Sequence, residues 1–356
     1  MRVMIAGGGT GGHVIPALAI AGALKAAYTA EVCFIGTAKG METRLVPQAG
    51  YPLELIDVGQ LNRVSLATQL KTMVALPRGI FHCLDLLRRW QPQVVVGVGG
   101  YASGPAMLAA LLRRLPTLAF EPNAVPGLAN RLIGKRISAA AVNFAPTLSY
   151  FRNAELTGIP VRAEFFALAP RPPESALRLL VMGGSQGARA LNQKMPEVAK
   201  ALLDAVPGLT ILHQAGARHA ETTEAAYTAS GASVGRWRVQ AFLEDMPKQF
   251  AASDLILARS GASTVAELAA GGKPSLLVPF PEAADDHQRK NAEVLVEGGA
   301  AVMLLEKEMT GTTLLDKLTG LLGNPDRLHE MATSARTFAH PQAAARIAEM
   351  VAAIAS

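Results

Sequence analysis

Only two cysteines, Cys33 and Cys83, occur in 356 residues, both in apolar stretches and without Cys-x-x-Cys spacing. Neither a disulfide framework nor a zinc site is expected, and a reducing compartment fits best. Aromatics make up 5% of the chain, and no stretch interleaves them with basic residues. A base-stacking platform is therefore not expected, which counts against nucleic acid, and no nucleic-acid partner is expected. No uninterrupted apolar run reaches the roughly 18 residues of a membrane-crossing helix, and Arg113 and Arg114 break the most hydrophobic late segment. The opening Met1-Arg2-Val3-Met4-Ile5-Ala6 runs straight into glycines, without the continuous apolar core and cleavage site of a signal peptide. Charged residues are scarce as well, at 17%, with a formal net charge of +6. That excess suits a basic soluble protein or one that meets an anionic membrane surface.

Half of the residues are hydrophobic, and 33 glycines with 22 prolines supply many turns. This is the composition of a folded α/β protein rather than a disordered one. At about 100–200 residues per domain, the length predicts two domains.

The pattern along the chain agrees. Residues 2–6 form an apolar strand, followed by Gly7-Gly8-Gly9-Thr10-Gly11-Gly12-His13 and a helix over 14–27, with Pro16 suited to a first turn. Apolar strands are predicted over 32–35, 53–58, 94–98, 117–120 and 139–142, separated by helix-length segments. The unit then restarts with a strand over 177–182, the loop Gly183-Gly184-Ser185-Gln186-Gly187 and a helix over 188–206. Later strands are predicted over 210–214, 238–242, 255–258, 275–278 and 300–304. The fold class expected is α/β, with two Rossmann-like domains of parallel sheet covered by helices. Residues 1–163 and 164–340 form the domains, with 341–356 as a C-terminal helix packing back on the first. The 169–174 segment, rich in proline, reads as the boundary and the 158–162 loop as a hinge. Ligands of such sheets sit beyond the carboxyl ends of the strands, so both glycine loops are expected to face an inter-domain cleft.

Gly7, Gly9 and Gly12 satisfy G-x-G-x-x-G, which raises a nicotinamide-dependent dehydrogenase. Such a site wants an acidic residue after the second strand, where this chain reads Ile35-Gly36-Thr37, and the second loop fails the same test at His213-Gln214-Ala215-Gly216. No P-loop pattern occurs. The loops remain anion cradles, in which bare backbone and a helix N-terminus accept phosphate, or they are merely tight strand-to-helix turns.

Six segments, in order along nearly the whole chain, carry a resemblance. They are Gly8-Gly9-Thr10-Gly11-Gly12-His13-Val14, Gly99-Gly100-Tyr101-Ala102-Ser103-Gly104-Pro105, Gly158-Ile159-Pro160-Val161-Arg162, Gly183-Gly184-Ser185-Gln186-Gly187-Ala188-Arg189, Arg259-Ser260-Gly261-Ala262-Ser263-Thr264-Val265-Ala266-Glu267 and Asp285-Asp286-His287-Gln288. Together they resemble the MurG family, which transfers N-acetylglucosamine from its UDP-sugar to undecaprenyl-pyrophosphoryl-muramyl-pentapeptide. The resemblance implies the two-domain GT-B glycosyltransferase architecture, with acceptor and membrane contacts in the first domain and UDP-N-acetylglucosamine in the second. It implies no cofactor and no metal, and no Asp-x-Asp motif occurs.

By this resemblance Ser185 would touch the diphosphate, Leu243 would meet uracil through its backbone, and Glu267 would accept hydrogen bonds from the ribose. Ala262, Ser263, Thr264, Val265 and Ala266 would line the same site, Gln288 and Asn123 would hold sugar hydroxyls, and Arg162 would lie against the donor. Thr10, Gly11 and Gly12 join the substrate-binding set from the first loop. The reaction implied is inverting attack by the muramyl 4-hydroxyl, with release of UDP. His13 is the leading candidate base, since a helix N-terminus keeps imidazole neutral; a hydrogen bond to the acceptor pyrophosphate and helix capping are its rival roles. Glu121 is the second candidate base. The chain departs from relatives in reading Phe120-Glu121-Pro122-Asn123 where His-Glu-Gln-Asn is common, and in placing His287 where some have glutamine.

Residues 70–89 combine Leu70, Met73, Val74, Leu76, Ile80, Phe81 and Leu84 with Lys71, Arg78, Arg88 and Arg89. This is either an amphipathic helix packed on a sheet or an apolar patch rimmed by cations that docks on an anionic leaflet. The resemblance favours peripheral docking at the cytoplasmic face of the inner membrane, with residues 99–105 helping to bind the acceptor. A transferase for another sugar or lipid, a nucleotide-sugar sensor and a dehydrogenase stand as alternatives.

Overall fold

The computed structural model describes residues 1–57, 66–169, 171, 176–184 and 186–355, and describes no side chains over 66–76. The chain forms two compact units, Met1–Pro160 with His340–Ser356, and Val161–Ala339. The crossing thus falls in the 158–162 loop, and the 169–174 segment belongs to the second unit; of that segment, 170 and 172–174 lie outside the described residues.

The first unit is built on strands β1 (Arg2–Gly7), β2 (Glu31–Gly36), β3 (Leu53–Leu55), β4 (Val94–Gly99), β5 (Thr117–Glu121), β6 (Ala139–Val142) and β7 (Ala154–Leu156). They form one sheet of order β3-β2-β1-β4-β5-β6-β7, in which every pair is parallel. The central strands are apolar at consecutive positions because both faces are covered. Met4, Cys33, Ile35 and Val95 share a core with Cys83, Leu87 and Met107 from the helices Leu66–Trp90 and Ser103–Leu112. The alternate residues Val3, Ile5, Val32 and Phe34 are equally buried. Helix Gly11–Tyr28 buries Val14, Ala17, Ile20 and Leu24, and helix Ala343–Ala355 packs against it and against β4 to β6. A two-pronged ion pair from Arg346 to Glu155 ties that last helix to β7.

The second unit repeats the plan with β8 (Arg178–Met182), β9 (Thr210–Gln214), β10 (Trp237–Gln240), β11 (Leu255–Ala258), β12 (Ser275–Leu277) and β13 (Ala301–Met303). Their order is β10-β9-β8-β11-β12-β13, again with every pair parallel. Leu179, Val181, Ile211 and Leu257 pack with Leu191, Met195 and Leu202 of helix Arg189–Ala205 and with Leu314 and Leu318 of helix Gly311–Leu322.

Three local expectations need correcting. Strand β7 was not anticipated, because an edge strand of three residues with Glu155 at its centre shows no apolar run. Strand β3 ends at Leu55 rather than at 58, and Val58 itself lies outside the described residues. The first helix starts within the glycine run at Gly11, so Pro16 is its sixth residue and lies beyond the first turn. Having no N–H, Pro16 leaves the Gly12 carbonyl without its helical donor.

In both sheets the connections reverse direction between the first and fourth strands in chain order, β1 and β4 or β8 and β11. Ligands of open parallel sheets bind beyond the carboxyl ends of the strands at such a point.

Candidate active site

At the first reversal point Gly7 stands in register with Gly99, and the Gly8 N–H donates to the Gly99 carbonyl at 3.3 Å. Gly99 has a φ of +92°, and a Cβ there would stand 2.8 Å from Cδ2 of His13. The imidazole therefore lies directly on the second glycine motif, and the Gly8–Val14 and Gly99–Pro105 segments form one surface. His13 is half-buried as the third residue of its helix, with Nδ1 3.4 Å from Oγ1 of Thr10. Thr10 occupies the N-cap position but makes no side-chain cap bond. Gly11 and Gly12 are the first two helical residues, so their N–H groups have no partner within the helix and suit an anion. Gly9 does not contribute, since its N–H donates to Oε2 of buried Glu42 at 2.7 Å.

At the end of β5, Glu121 is buried and both of its carboxylate oxygens are engaged. Oε1 accepts from the Asn123 N–H at 3.0 Å and from Asn123 Nδ2 at 3.3 Å. Oε2 accepts from the Gly127 N–H at 3.1 Å and from Asn130 Nδ2 at 2.9 Å. Burial raises its pKa above the ordinary carboxylate range, and these four hydrogen bonds oppose the rise. The carboxylate organises its own loop. Thr147 Oγ1 donates to the Asn123 carbonyl at 3.0 Å and Asn143 Nδ2 to the Pro122 carbonyl at 3.2 Å, completing the frame around Asn123.

In the second unit the loop after β8 lies on the residues after β9. Ser185 falls outside the described residues, but its neighbours are placed. Gly187, at φ +76°, approaches Ala215 so closely that a Cβ would overlap the Ala215 carbonyl. Gln214 Nε2 donates to the Gly184 carbonyl at 3.0 Å. Beneath them Asn192 Nδ2 donates to the Ala215 carbonyl at 2.9 Å, and its Oδ1 lies 3.0 Å from Nε2 of His213. Nδ1 of His213 is 3.1 Å from the Tyr227 hydroxyl, and Tyr227 stacks on Trp237 with centroids 5.1 Å apart. Complete burial pushes the His213 imidazole down to about 3, so it is neutral. Because Asn192 Oδ1 can only accept, the proton is on Nε2, and Nδ1 accepts from Tyr227. Helix Arg189–Ala205 then starts from Ala188 without a side-chain cap, leaving its first N–H groups for an anion.

After β11 comes the segment from Arg259 to Glu267. Buried Arg259 donates to the carbonyls of Val278 at 3.1 Å and Pro279 at 3.0 Å and pairs with Glu306 at 2.6 Å, tying the end of β11 to that of β12. Ser260 Oγ donates to the Gln288 carbonyl at 2.8 Å, while Oε1 of Gln288 accepts from the Phe280 N–H at 3.0 Å. The Nε2 amide of Gln288 is thus the end suited to donate to a ligand. Just before it, Asp285 and Asp286 both adopt left-handed φ, at 51° and 55°. Non-glycine residues rarely do so, and local strain of this kind clusters at functional sites.

Helix Ala262–Gly271 starts at Gly261 without a side-chain cap, and Ala262, Val265 and Ala266 are buried while Ser263 and Thr264 are half-buried. Glu267, half-buried on this helix, has its pKa pushed up to about 7 by burial, against the opposing pull of the Arg162 guanidinium. Arg162 lies over the Phe165 ring at 5.2 Å, and its charge also lowers the pKa of Asp245, after the larger effect of Lys248. Leu243 is buried in the segment between β10 and helix Met246–Ala251, beside exposed Phe242. Arg162, Glu267 and the segment holding Leu243 thus share one neighbourhood at the carboxyl edge of the sheet.

The residues that sequence reasoning missed are Glu42 and the buried Asn192, His213 and Tyr227. Nothing in their local pattern marks them, because their partners come from other strands. Among the described residues, no group of three His, Cys, Asp or Glu side chains could hold a metal ion. Also among them, no helix is long and apolar enough to cross a membrane.

Two parallel sheets, each with a glycine loop at its point of reversal, form the GT-B architecture, and the family comparisons identify the class as glycosyltransferases. The glycosyltransferase family 28 N-terminal domain matches residues 3–142, and the family 28 C-terminal domain matches residues 178–347. The enzyme named UDP-N-acetylglucosamine--N-acetylmuramyl-(pentapeptide) pyrophosphoryl-undecaprenol N-acetylglucosamine transferase from Anaeromyxobacter dehalogenans (strain 2CP-C) is 45% identical over 355 residues, covering 98% of this chain and 92% of that one. Its namesake from Solibacter usitatus is 44% identical over 350 residues, covering 98% and 94%. The crystal structure of Acinetobacter baumannii MurG superimposes with a TM-score of 0.84 at 33% identity, over 99% of both chains. The chain belongs to the MurG family of N-acetylglucosaminyltransferases.

Proposed function

We propose that this protein transfers N-acetylglucosamine from UDP-N-acetylglucosamine to the 4-hydroxyl of undecaprenyl-linked N-acetylmuramyl-pentapeptide, with inversion, during peptidoglycan synthesis. The observation that carries the reading is similarity over 98% of the chain, at 45% identity, to enzymes bearing that name. The local chemistry supports it. An uncapped helix start behind each glycine loop favours the charge of a diphosphate, and preorganised donors of this kind cost no reorganisation as the leaving group gains charge.

In the second unit, Glu267 accepts from the ribose hydroxyls, Leu243 meets uracil through its backbone, and Arg162 lies against the nucleotide. Ala262, Ser263, Thr264, Val265 and Ala266 line that site, and Gln288 donates through Nε2 to a sugar hydroxyl. Ser185 keeps the diphosphate role that the resemblance implies. In the first unit, Gly11 and Gly12 offer N–H groups to the acceptor pyrophosphate beside Thr10, and His13 takes the proton from the attacking hydroxyl. Asn123 contacts a sugar hydroxyl. Glu121, with both oxygens engaged, acts through Asn123 as a positioning residue rather than as a base.

The protein works at the cytoplasmic face of the inner membrane. Phe81 is 68% exposed on the helix Leu66–Trp90, sharing a stripe with Arg78, Asp85 and Arg88. Asp85 pairs with Arg88 at 3.1 Å and Arg89 at 2.9 Å, which lessens the positive charge available to anionic lipid. Leu70, Lys71, Met73, Val74 and Leu76 lie outside the described side chains.

The test is incubation with UDP-N-acetylglucosamine and the lipid-linked muramyl-pentapeptide, followed by mass measurement. Gain of one N-acetylhexosamine on the lipid is expected, and release of UDP without that gain rejects the acceptor. For His13→Ala, loss of the acidic limb of the pH–rate profile is expected, since a general base is inactivated by protonation; a raised acceptor KM at normal kcat assigns His13 to binding instead.

A further inference from the structure

Glu42 is 1% exposed and lies inside the first glycine loop. Its Oε2 accepts from the Gly9 N–H at 2.7 Å, and its Oε1 accepts from the Thr37 N–H at 2.9 Å and the Thr37 hydroxyl at 3.0 Å. Two backbone amides and a hydroxyl are the donor set a buried carboxylate requires. Three glycines make room for it, since a Cβ at Gly8, Gly36 or Gly40 would overlap the Glu42 side chain. A second strut runs alongside, from the Met41 N–H to the Gly9 carbonyl at 3.2 Å. The turn after β2 and the glycine run after β1 are thus joined through one carboxylate.

We infer that Glu42 is the positioning residue of the acceptor loop, its carboxylate setting the shape of Gly8 and Gly9 so that His13 and the N–H groups of Gly11 and Gly12 are aimed at the substrate. The inference rests on the reading of this loop as acceptor-binding. Because Glu42 already engages the Gly9 N–H, the acceptor anion is left with the helix start, in the same turn as the imidazole. A run of glycines tied down in this way has less backbone freedom to lose when the acceptor binds.

Glu42→Gln separates this role from simple packing. The amide keeps the volume but turns one acceptor into a donor, which faces either Gly9 or Thr37 donor to donor. The expected result is an acceptor KM raised about tenfold or more, with UDP affinity unchanged because that site lies in the second unit. Amide exchange at Gly9 should accelerate in the same variant, a readout independent of turnover. Should Glu42→Gln fail to fold, Gly40→Ala displaces the carboxylate while leaving it on the chain, and the same acceptor defect is expected. Thr37→Val, lacking only the hydroxyl donor, should give a smaller rise.

An acceptor KM and Gly9 exchange equal to wild type in either Glu42→Gln or Gly40→Ala overturns the inference, as does a proportional loss of acceptor and UDP binding. A wild-type protein that transfers no sugar to the lipid acceptor rejects the functional reading instead, and Gly9 exchange still decides the role of Glu42.

Discussion

Glu267 experiences two opposing influences: desolvation lifts its pKa to about 7, while the Arg162 guanidinium favours the charged form. The folded value lies above the unfolded one, so the free protein holds this proton more tightly when folded. Its contribution to stability is complete below the ordinary carboxylate range and is lost as pH rises through about 7. His213 acts in the opposite sense. Its folded value near 3 lies below the unfolded one, so stability is lost as pH falls from the ordinary histidine range toward about 3. Glu267→Gln should flatten the decline in thermal stability between pH 5 and pH 7 or so, followed by calorimetry. In the wild type, UDP affinity should improve as pH rises past about 7, because the ionised carboxylate is the better acceptor for two hydroxyls. A pH-independent affinity in wild type, measured by titration calorimetry, would show that Glu267 does not touch the ribose. Asn192→Ala leaves the Ala215 carbonyl and the His213 N–H without their shared partner. An unpaired buried polar group costs about 1–3 kcal/mol, so lower thermal stability and a raised donor KM are expected together; a raised KM without loss of stability would place Asn192 in direct contact with the donor.

The working element of both sheets is the strand, glycine turn and uncapped helix. It is legible in the sequence because every part is local: an apolar run, glycines where the backbone turns sharply, then a helical stretch. The helices that follow β1, β8 and β11 all lack a side-chain cap. An N-cap Ser, Thr, Asp or Asn normally supplies one, so its absence leaves donors for a ligand. Two parts were less legible. Glu121 is visible as the neighbour of Asn123, but its role depends on Gly127 and Asn130, which fold back on it. The bond from Glu42 to Gly9 requires β1 and β2 to be adjacent, which only sheet order decides. The pairing of Asp85 with Arg88 and Arg89 on the helix Leu66–Trp90 was legible from its i,i+3 and i,i+4 spacing, but only the structure shows both pairs closed. That helix carries its own prediction. Phe81→Glu, at an exposed site of that helix, should weaken co-sedimentation with anionic liposomes while leaving UDP affinity intact, and unchanged binding by folded protein would remove this helix from the membrane contact.

At the scale of the whole molecule, the C-terminal segment completes the first unit although the whole of the second unit precedes it in the chain. Ile347 and Val351 of helix Ala343–Ala355 are fully buried, and the helix packs on Gly11–Tyr28, whose first turn carries His13. Deleting residues 341–356 should lower the melting temperature of the first unit by about 10 °C or more, as expected for losing several buried aliphatic side chains. Wild-type melting and turnover in the truncated protein would show that the last helix is dispensable. By itself the sequence determined two α/β repeats, the position of each glycine turn and the family to which the chain belongs, because those signals lie in contiguous residues and repeating hydrophobic patterns. Only the tertiary structure decided which N–H groups are left for an anion, which carboxylates serve the frame of a loop, and how His13 meets Gly99. Each of those depends on hydrogen bonds and close approaches between segments far apart in the chain, and strand order alone brings such segments together.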